Sequence, residues 1–228
     1  MGGYDFYIES KQDMLNAIEA FGFLPFFRCS IPGFSLEEHV SRSLWYSHET
    51  DEWPVWEWKG PVIRELGCAY GKFFENKAVF ISREWFFDFA NHRRDGYDFD
   101  ARFDDGLVPY RDKFLFDLLE ANAPVTSREL KLKGNFRKGG RKGFDTTITR
   151  LQSQCYALIS DFVYARDKAG NRYGWGISEY STPERFFGEE FSRRVYERTP
   201  KESYQRLYDH LRSLFPEADE KLISKILK

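Results

Sequence analysis

A chain of 228 residues that is 42% hydrophobic can bury a real core, as one large domain or two small ones. Its net charge of −2 excludes bulk attraction to nucleic acid, so phosphate binding must come from a local basic patch. The 3 cysteines form no CxxC pair, which argues against a zinc ribbon and for reduced, buried thiols in a cytoplasmic protein.

In chain order, residues 13–23 read as a helix with Met14, Ile18 and Phe21 on one side and Pro25 as its stop. The Phe-rich run 21–27 is far too short to span a bilayer, and the first residues carry no secretory pattern. Residues 26–34 read as a buried loop, and Ser35 with Glu38 can cap a short helix. Residues 48–52 form a polar, acidic bulge. The three tryptophans of 53–60 suggest a strand or a packed loop rather than a helix. Pro61 is placed to open a helix through Tyr70. A β-hairpin follows, with 70–74 and 78–81 flanking Glu75-Asn76-Lys77. Ser82 opens a helix carrying Trp85, Phe86 and Phe89, closed at Gly96. Residues 98–106 read as an acidic, aromatic loop. Its aspartates lack the spacing of a calcium loop, so turn formation and pairing with Arg93, Arg94 and Arg102 are expected.

Residues 110–123 form an apolar-periodic helix, and Thr126 with Glu129 caps a short second one. A basic arm, 131–142, carries Lys131, Lys133, Arg137, Lys138, Arg141 and Lys142 among glycines. A third helix spans 144–154. Two strands, 156–166 and 172–180, are joined by a Gly-Asn turn. Three helices and a hairpin in this order read as a winged helix-turn-helix. After Gly188 come helices over 189–197, from Pro200 and from Pro216. No internal repeat is evident. The expected fold is α+β and mostly helical. It divides into an N-terminal helical region with a β-hairpin (1–108), a winged helix-turn-helix (109–188) and C-terminal helices (189–228).

The basic arm followed by a recognition-type helix points to duplex DNA. Lys138, Arg141 and Lys142 are placed to contact phosphates, and Arg150 and Gln152 to read base edges. Arg172 on the wing is a further phosphate contact, whereas Trp175 on the same strand is expected in the core. Glu57, between Trp56 and Trp58, is the candidate catalytic carboxylate: aromatic walls would accept an extruded base. His48 with Glu49 and Asp51 is the only local cluster of metal-ligand type, and it lacks an HxH or HExxH pattern. No metal or cofactor is expected, and no membrane association. The oligomeric state stays open.

The element order over 53–188, with Val125-Thr126-Ser127-Arg128-Glu129-Leu130, the Lys/Gly-rich stretch, Leu151 and the wing, resembles the AlkZ/YcaQ family of DNA glycosylases, and especially the shorter AlkZ-related proteins. The resemblance implies tandem winged helices with a concave DNA-binding face and a role in alkylation repair. The family's Gln-x-Gln or Gln-x-Asp signature lies near its N-terminus. Here Gln152-Ser153-Gln154 has those letters at the end of the third helix instead, which implies that catalysis is lost or divergent. The alternative is a winged-helix module for protein interaction or transcriptional regulation, without enzymatic activity.

Overall fold

The computed structural model describes residues 6–47, 53–170 and 172–228. The expected acidic bulge at 48–52, its His48, Glu49 and Asp51 cluster, and Asn171 of the wing turn lie outside the described residues.

Helix α1 (Lys11–Phe21) starts at a reciprocal Ser10–Asp13 capping box and stops at Gly22, whose φ of 75° is left-handed. Gly22, not Pro25, is therefore the stop. Pro25 sits in strand β1 (Phe23–Pro25) at an edge of the sheet, where its missing N–H breaks no ladder. Ser35 and Glu38 form the expected capping box of α2 (Leu36–His39), and α3 (Arg42–Trp45) follows.

The Trp-rich segment corrects the expectation of an extended chain. Helix α4 (Pro54–Leu66) begins at Pro54, and Pro61 lies inside it rather than opening it. Val55, Val62 and Ile63 recur at helical spacing and are buried, so the 3.6-residue period overrides the strand preference of tryptophan. Pro61 has no N–H to donate to the Glu57 carbonyl four residues back.

Strands β2 (Ala69–Phe74) and β3 (Lys77–Ile81) form the expected hairpin, with Glu75 and Asn76 at φ of 50° and 59°. Helix α5 (Arg83–Arg94) follows. The acidic segment after it is a helix, α6 (Phe99–Asp104), because the Asp98 carboxylate accepts from the Ala101 N–H at 2.8 Å. The expected Asp–Arg pairing there is replaced: Arg93 donates to the carbonyls of Phe73 and Ile226, and Arg102 to that of Arg94.

Next come α7 (Tyr110–Asn122), β4 (Val125–Thr126), α8 (Ser127–Lys133) under the Thr126–Glu129 capping box, α9 (Phe144–Ser153), β5 (Leu158–Arg166) and β6 (Arg172–Ser181). The chain ends in α10 (Pro183–Phe187), α11 (Glu189–Arg194), α12 (Pro200–Leu214) and α13 (Glu220–Leu227). Asp219 caps α13, so Pro216 precedes the helix by a turn rather than starting it.

Among the described residues, six strands form one antiparallel sheet in the order β1-β3-β2-β5-β6-β4. This order reveals an internal repeat that the sequence hides. The segments from α1 to β3 and from α7 to β6 each run helix, short strand, helices, hairpin. In each the short strand pairs with the second hairpin strand, Phe23 opposite Ile81 and Val125 opposite Tyr180. The first hairpin strands meet at a central seam, Tyr70 opposite Ile159. The helix before each hairpin lies against the other half's strand, α4 on β5 and α9 on β2. The expected boundary near 108 falls between α6 and α7, and the sheet runs across it.

Strand alternation buries both faces. Leu24, Tyr70, Phe80 and Ile159 enter a core under α1, α4, α7 and α9. Phe23, Ala69, Val79, Ile81 and Leu158 enter a second core under α5, α11, α12 and α13.

Two histidines fasten this second layer. His92 Nε2 donates to the Leu227 carbonyl at 3.0 Å; His210 Nε2 donates to that of Phe21 at 2.7 Å and stacks on Trp85 at 3.9 Å. Burial holds both below the usual histidine pKa. The unfolded chain then takes up protons near pH 6.5 before the native state does, so stability is full above that pH and falls as pH drops toward the native values. The urea midpoint is expected to decrease between pH 7 and pH 5.5, and His210→Gln to flatten that decrease. An unchanged slope in the variant would refute the assignment to His210.

Candidate nucleic-acid interface and aromatic pocket

The basic arm is an ordered turn. Gly140 N–H donates to Arg137 O at 2.8 Å, and Arg141 N–H to Asn135 O at 2.7 Å. A Cβ on Gly140 would stand 2.1 Å from Asn135 O, so only glycine closes the loop this tightly. Phe136 is buried and packs on Phe144, pinning the turn to α9. Arg137, Lys138, Arg141 and Lys142 are all exposed on it. The Arg141 guanidinium lies 4.0 Å from the Phe114 ring centre, which limits its freedom.

Helix α9 itself presents little free positive charge. Arg150 makes a two-pronged ion pair with buried Asp112, Nε to Oδ2 and Nη2 to Oδ1. Lys131 pairs with Asp145 at 3.0 Å. Gln152 is 1% exposed and works inside the protein: its Nε2 donates to Ile148 O at 3.1 Å, and its Oε1 accepts from Lys72 N–H at 3.1 Å. That bond crosses the seam between the halves, which removes Gln152 from the outer surface as a base-reading group. Thr147 is fully buried, and Thr149 accepts from Lys72 Nζ at 3.4 Å. Asp145 and Thr146 are left as the exposed polar positions of the first turn.

On the wing, Arg172 is exposed and its guanidinium lies 5.2 Å from the Tyr164 ring centre. Trp175, expected in the core, is 62% exposed. It projects from β6 onto the start of α4, with ring centres 5.2 Å from Trp53 and 6.0 Å from Trp56. These rings wall a cavity of about 330 Å³ between α4 and the wing hairpin, also lined by Glu57, Lys59, Phe162 and Tyr164. That volume is at the lower end of small-ligand sites. Glycines 174 and 176 keep the β6 side low. Gly60 lets α4 close on β5: a Cβ there would meet the Asp161 carboxylate at 2.7 Å.

Glu57 is exposed on the cavity wall. Burial and the nearby Glu57 charge push the Tyr164 phenol up. Lys59 reaches the same cavity from the next helical turn. Its ammonium stands 4.3 Å from the Phe162 ring centre, 4.8 Å from Trp56 and 5.4 Å from Phe26. Sequence reasoning found Glu57 and the tryptophans but missed Lys59 and the wing's share of the walls. The i, i+3 spacing of Trp53, Trp56 and Lys59 along a helix was the available signal. Neither Gln152 nor Gln154 lines the cavity.

Among the described residues, no group of three histidine, cysteine or acidic side chains is placed to hold a metal ion, and no helix is long and apolar enough to cross a membrane. No curated protein and no solved structure matches the chain. A family model described as AlkZ related matches residues 8–228.

Proposed function

The chain belongs to the AlkZ-related family, and from that premise we propose that it binds duplex DNA and receives an extruded nucleotide in the cavity between α4 and the wing. The observation that carries this reading is the cavity itself: stacking rings on several walls, one carboxylate and a wing cation beside the Tyr164 wall. Flat aromatic surfaces suit an unstacked base, and a carboxylate can orient water toward the anomeric carbon.

The helix–strand–helix–helix–hairpin order of 109–188 supports a winged helix there, and the first half, with one more short helix before its hairpin, supports a second. In this reading Lys138, Arg141 and Lys142 hold phosphates from the arm, and Arg172 does so from the wing. Arg150 acts indirectly, by fixing α9 against α7. Glu57 is the candidate catalytic group of an alkylation-repair enzyme whose chemistry diverges from the Gln-x-Gln pattern.

Two measurements test the reading. Anisotropy of a labelled duplex is expected to show binding that weakens steeply as salt rises. Release of free base from alkylated duplex is expected to fall by at least 100-fold in Glu57→Gln with affinity unchanged. Salt-insensitive or absent binding would refute the DNA reading; base release unaffected by Glu57→Gln would refute the role of Glu57.

A further inference from the structure

Lys59 is the cavity group that the reading above leaves unused. Its surroundings are unusual for a surface-helix lysine. Three rings enclose the amine, and among the described residues it has no ion-pair or hydrogen-bond partner. Desolvation pushes its ammonium down to about 8, so a sizeable fraction is the neutral, nucleophilic amine near physiological pH. The rings also attract the charged form, so the enclosure holds the amine at the cavity wall in either protonation state.

We propose that Lys59 is an imine-forming amine, and that its partner is the ring-opened deoxyribose aldehyde at an abasic site in duplex DNA. The class of carbonyl follows from the setting and rests on the DNA reading above. The cavity is walled for an extruded nucleotide, and Arg172, over the Tyr164 wall, can take a neighbouring phosphate. An abasic nucleotide lacks the base that would occupy the rings, so its sugar can move further in, toward the amine.

In the step, the Lys59 nitrogen lone pair adds to the C1′ aldehyde carbon while the C=O π electrons move to oxygen. One N–H proton passes to that oxygen, giving a carbinolamine. The C1′–OH bond then breaks with a second proton, water leaves, and a C1′=N imine remains. Amine and aldehyde give imine and one water, with no oxidant or reductant. Glu57, on the same wall, is the carboxylate available to carry the protons.

The test uses the full chain, a duplex with one abasic site, and sodium cyanoborohydride to reduce the imine to a stable secondary amine. The expected result is a covalent protein–DNA adduct whose peptide map places the link at Lys59. Its rate should rise with half-maximum near pH 8. Lys59→Met keeps the apolar stem among the rings and is expected to lower the adduct yield at least 20-fold. Lys59→Arg keeps the charge and should lose the adduct equally, so loss of folding in one variant leaves the other as control. Adduct spread over other lysines, with equal yield in either variant, overturns the proposal. So does absence of adduct while the same duplex still binds by anisotropy, and that outcome leaves the DNA reading standing. Absence of both binding and adduct overturns the two together.

Discussion

Replacing Lys138, Arg141 and Lys142 together by glutamate is expected to weaken duplex binding by at least 100-fold at low salt. It should also flatten the dependence of log affinity on log salt by about 2.7, since each lost phosphate contact is worth about 0.9 in slope. The size of the effect follows from the geometry. All three side chains are exposed on one tight turn, and among the described residues none of them is in an ion pair, unlike Lys131 and Arg150. Reversing three charges removes the attraction and adds repulsion at the same phosphates. The fold should tolerate the change, because only Arg141 has a packing role, over Phe114. Arg141→Gln separates that contribution. Anisotropy across a salt series is the measurement, with the urea midpoint as the check on folding. Unchanged affinity would remove the arm from the interface. Arg150→Gln makes the opposite prediction: its ion pair with Asp112 joins α9 to α7, so its loss should lower stability first and binding only as a result.

Arg94→Ala is expected to cost about 3 kcal/mol of stability, from a vacated side-chain volume and a stranded carbonyl. Arg94 is 1% exposed at the C-terminal end of α5. Its Nε and Nη2 donate to Cys155 O at 3.2 and 2.8 Å, and its Nη1 to Glu184 at 2.6 Å. The guanidinium lies 4.5 Å from the Tyr156 ring centre and 5.0 Å from that of Phe191. Glu184 can hydrate once unpaired, because its side chain is 38% exposed. Cys155 lies between α9 and β5 at φ 61°, with its carbonyl buried against Arg94. Losing the guanidinium therefore loosens the turn that delivers the wing. Arg94→Lys keeps a charge but cannot match the forked geometry, so it should recover only part of the loss. A urea midpoint within error of the parent would contradict this account.

How far the chain could be read depended on the range of the forces involved. The Ser35–Glu38 and Thr126–Glu129 capping boxes and the Glu75-Asn76 turn were legible because each is decided within four residues. The basic arm was legible as composition, although its rigidity depends on Asn135 O meeting Gly140 and on Phe136 turning inward. Helix α4 was misread because three tryptophans and an internal proline outweigh Val55, Val62 and Ile63 locally, while burial against β5 decides the matter. The site was half legible for the same reason. Glu57 and its tryptophans are near neighbours, but Trp175 and Phe162 arrive through the sheet. Gln152 and Arg150 look like groove-facing groups until Lys72 and Asp112 occupy them.

The seam at Tyr70 and Ile159 has a consequence for the dissection of the molecule. A chain cut between α6 and α7 would yield two pieces, each with one open strand edge, on β2 or β5, and each missing the helix that covers it. Neither piece can hide that edge alone, so the two should be recovered only when produced together. The edges also occupy equivalent places in the repeat, and each half lends its helix to the other. This is the geometry of a two-fold symmetric pair within a single polypeptide, in which the second half carries the cations of the arm and both halves contribute tryptophans to the cavity, Trp53 and Trp56 from the first and Trp175 from the second.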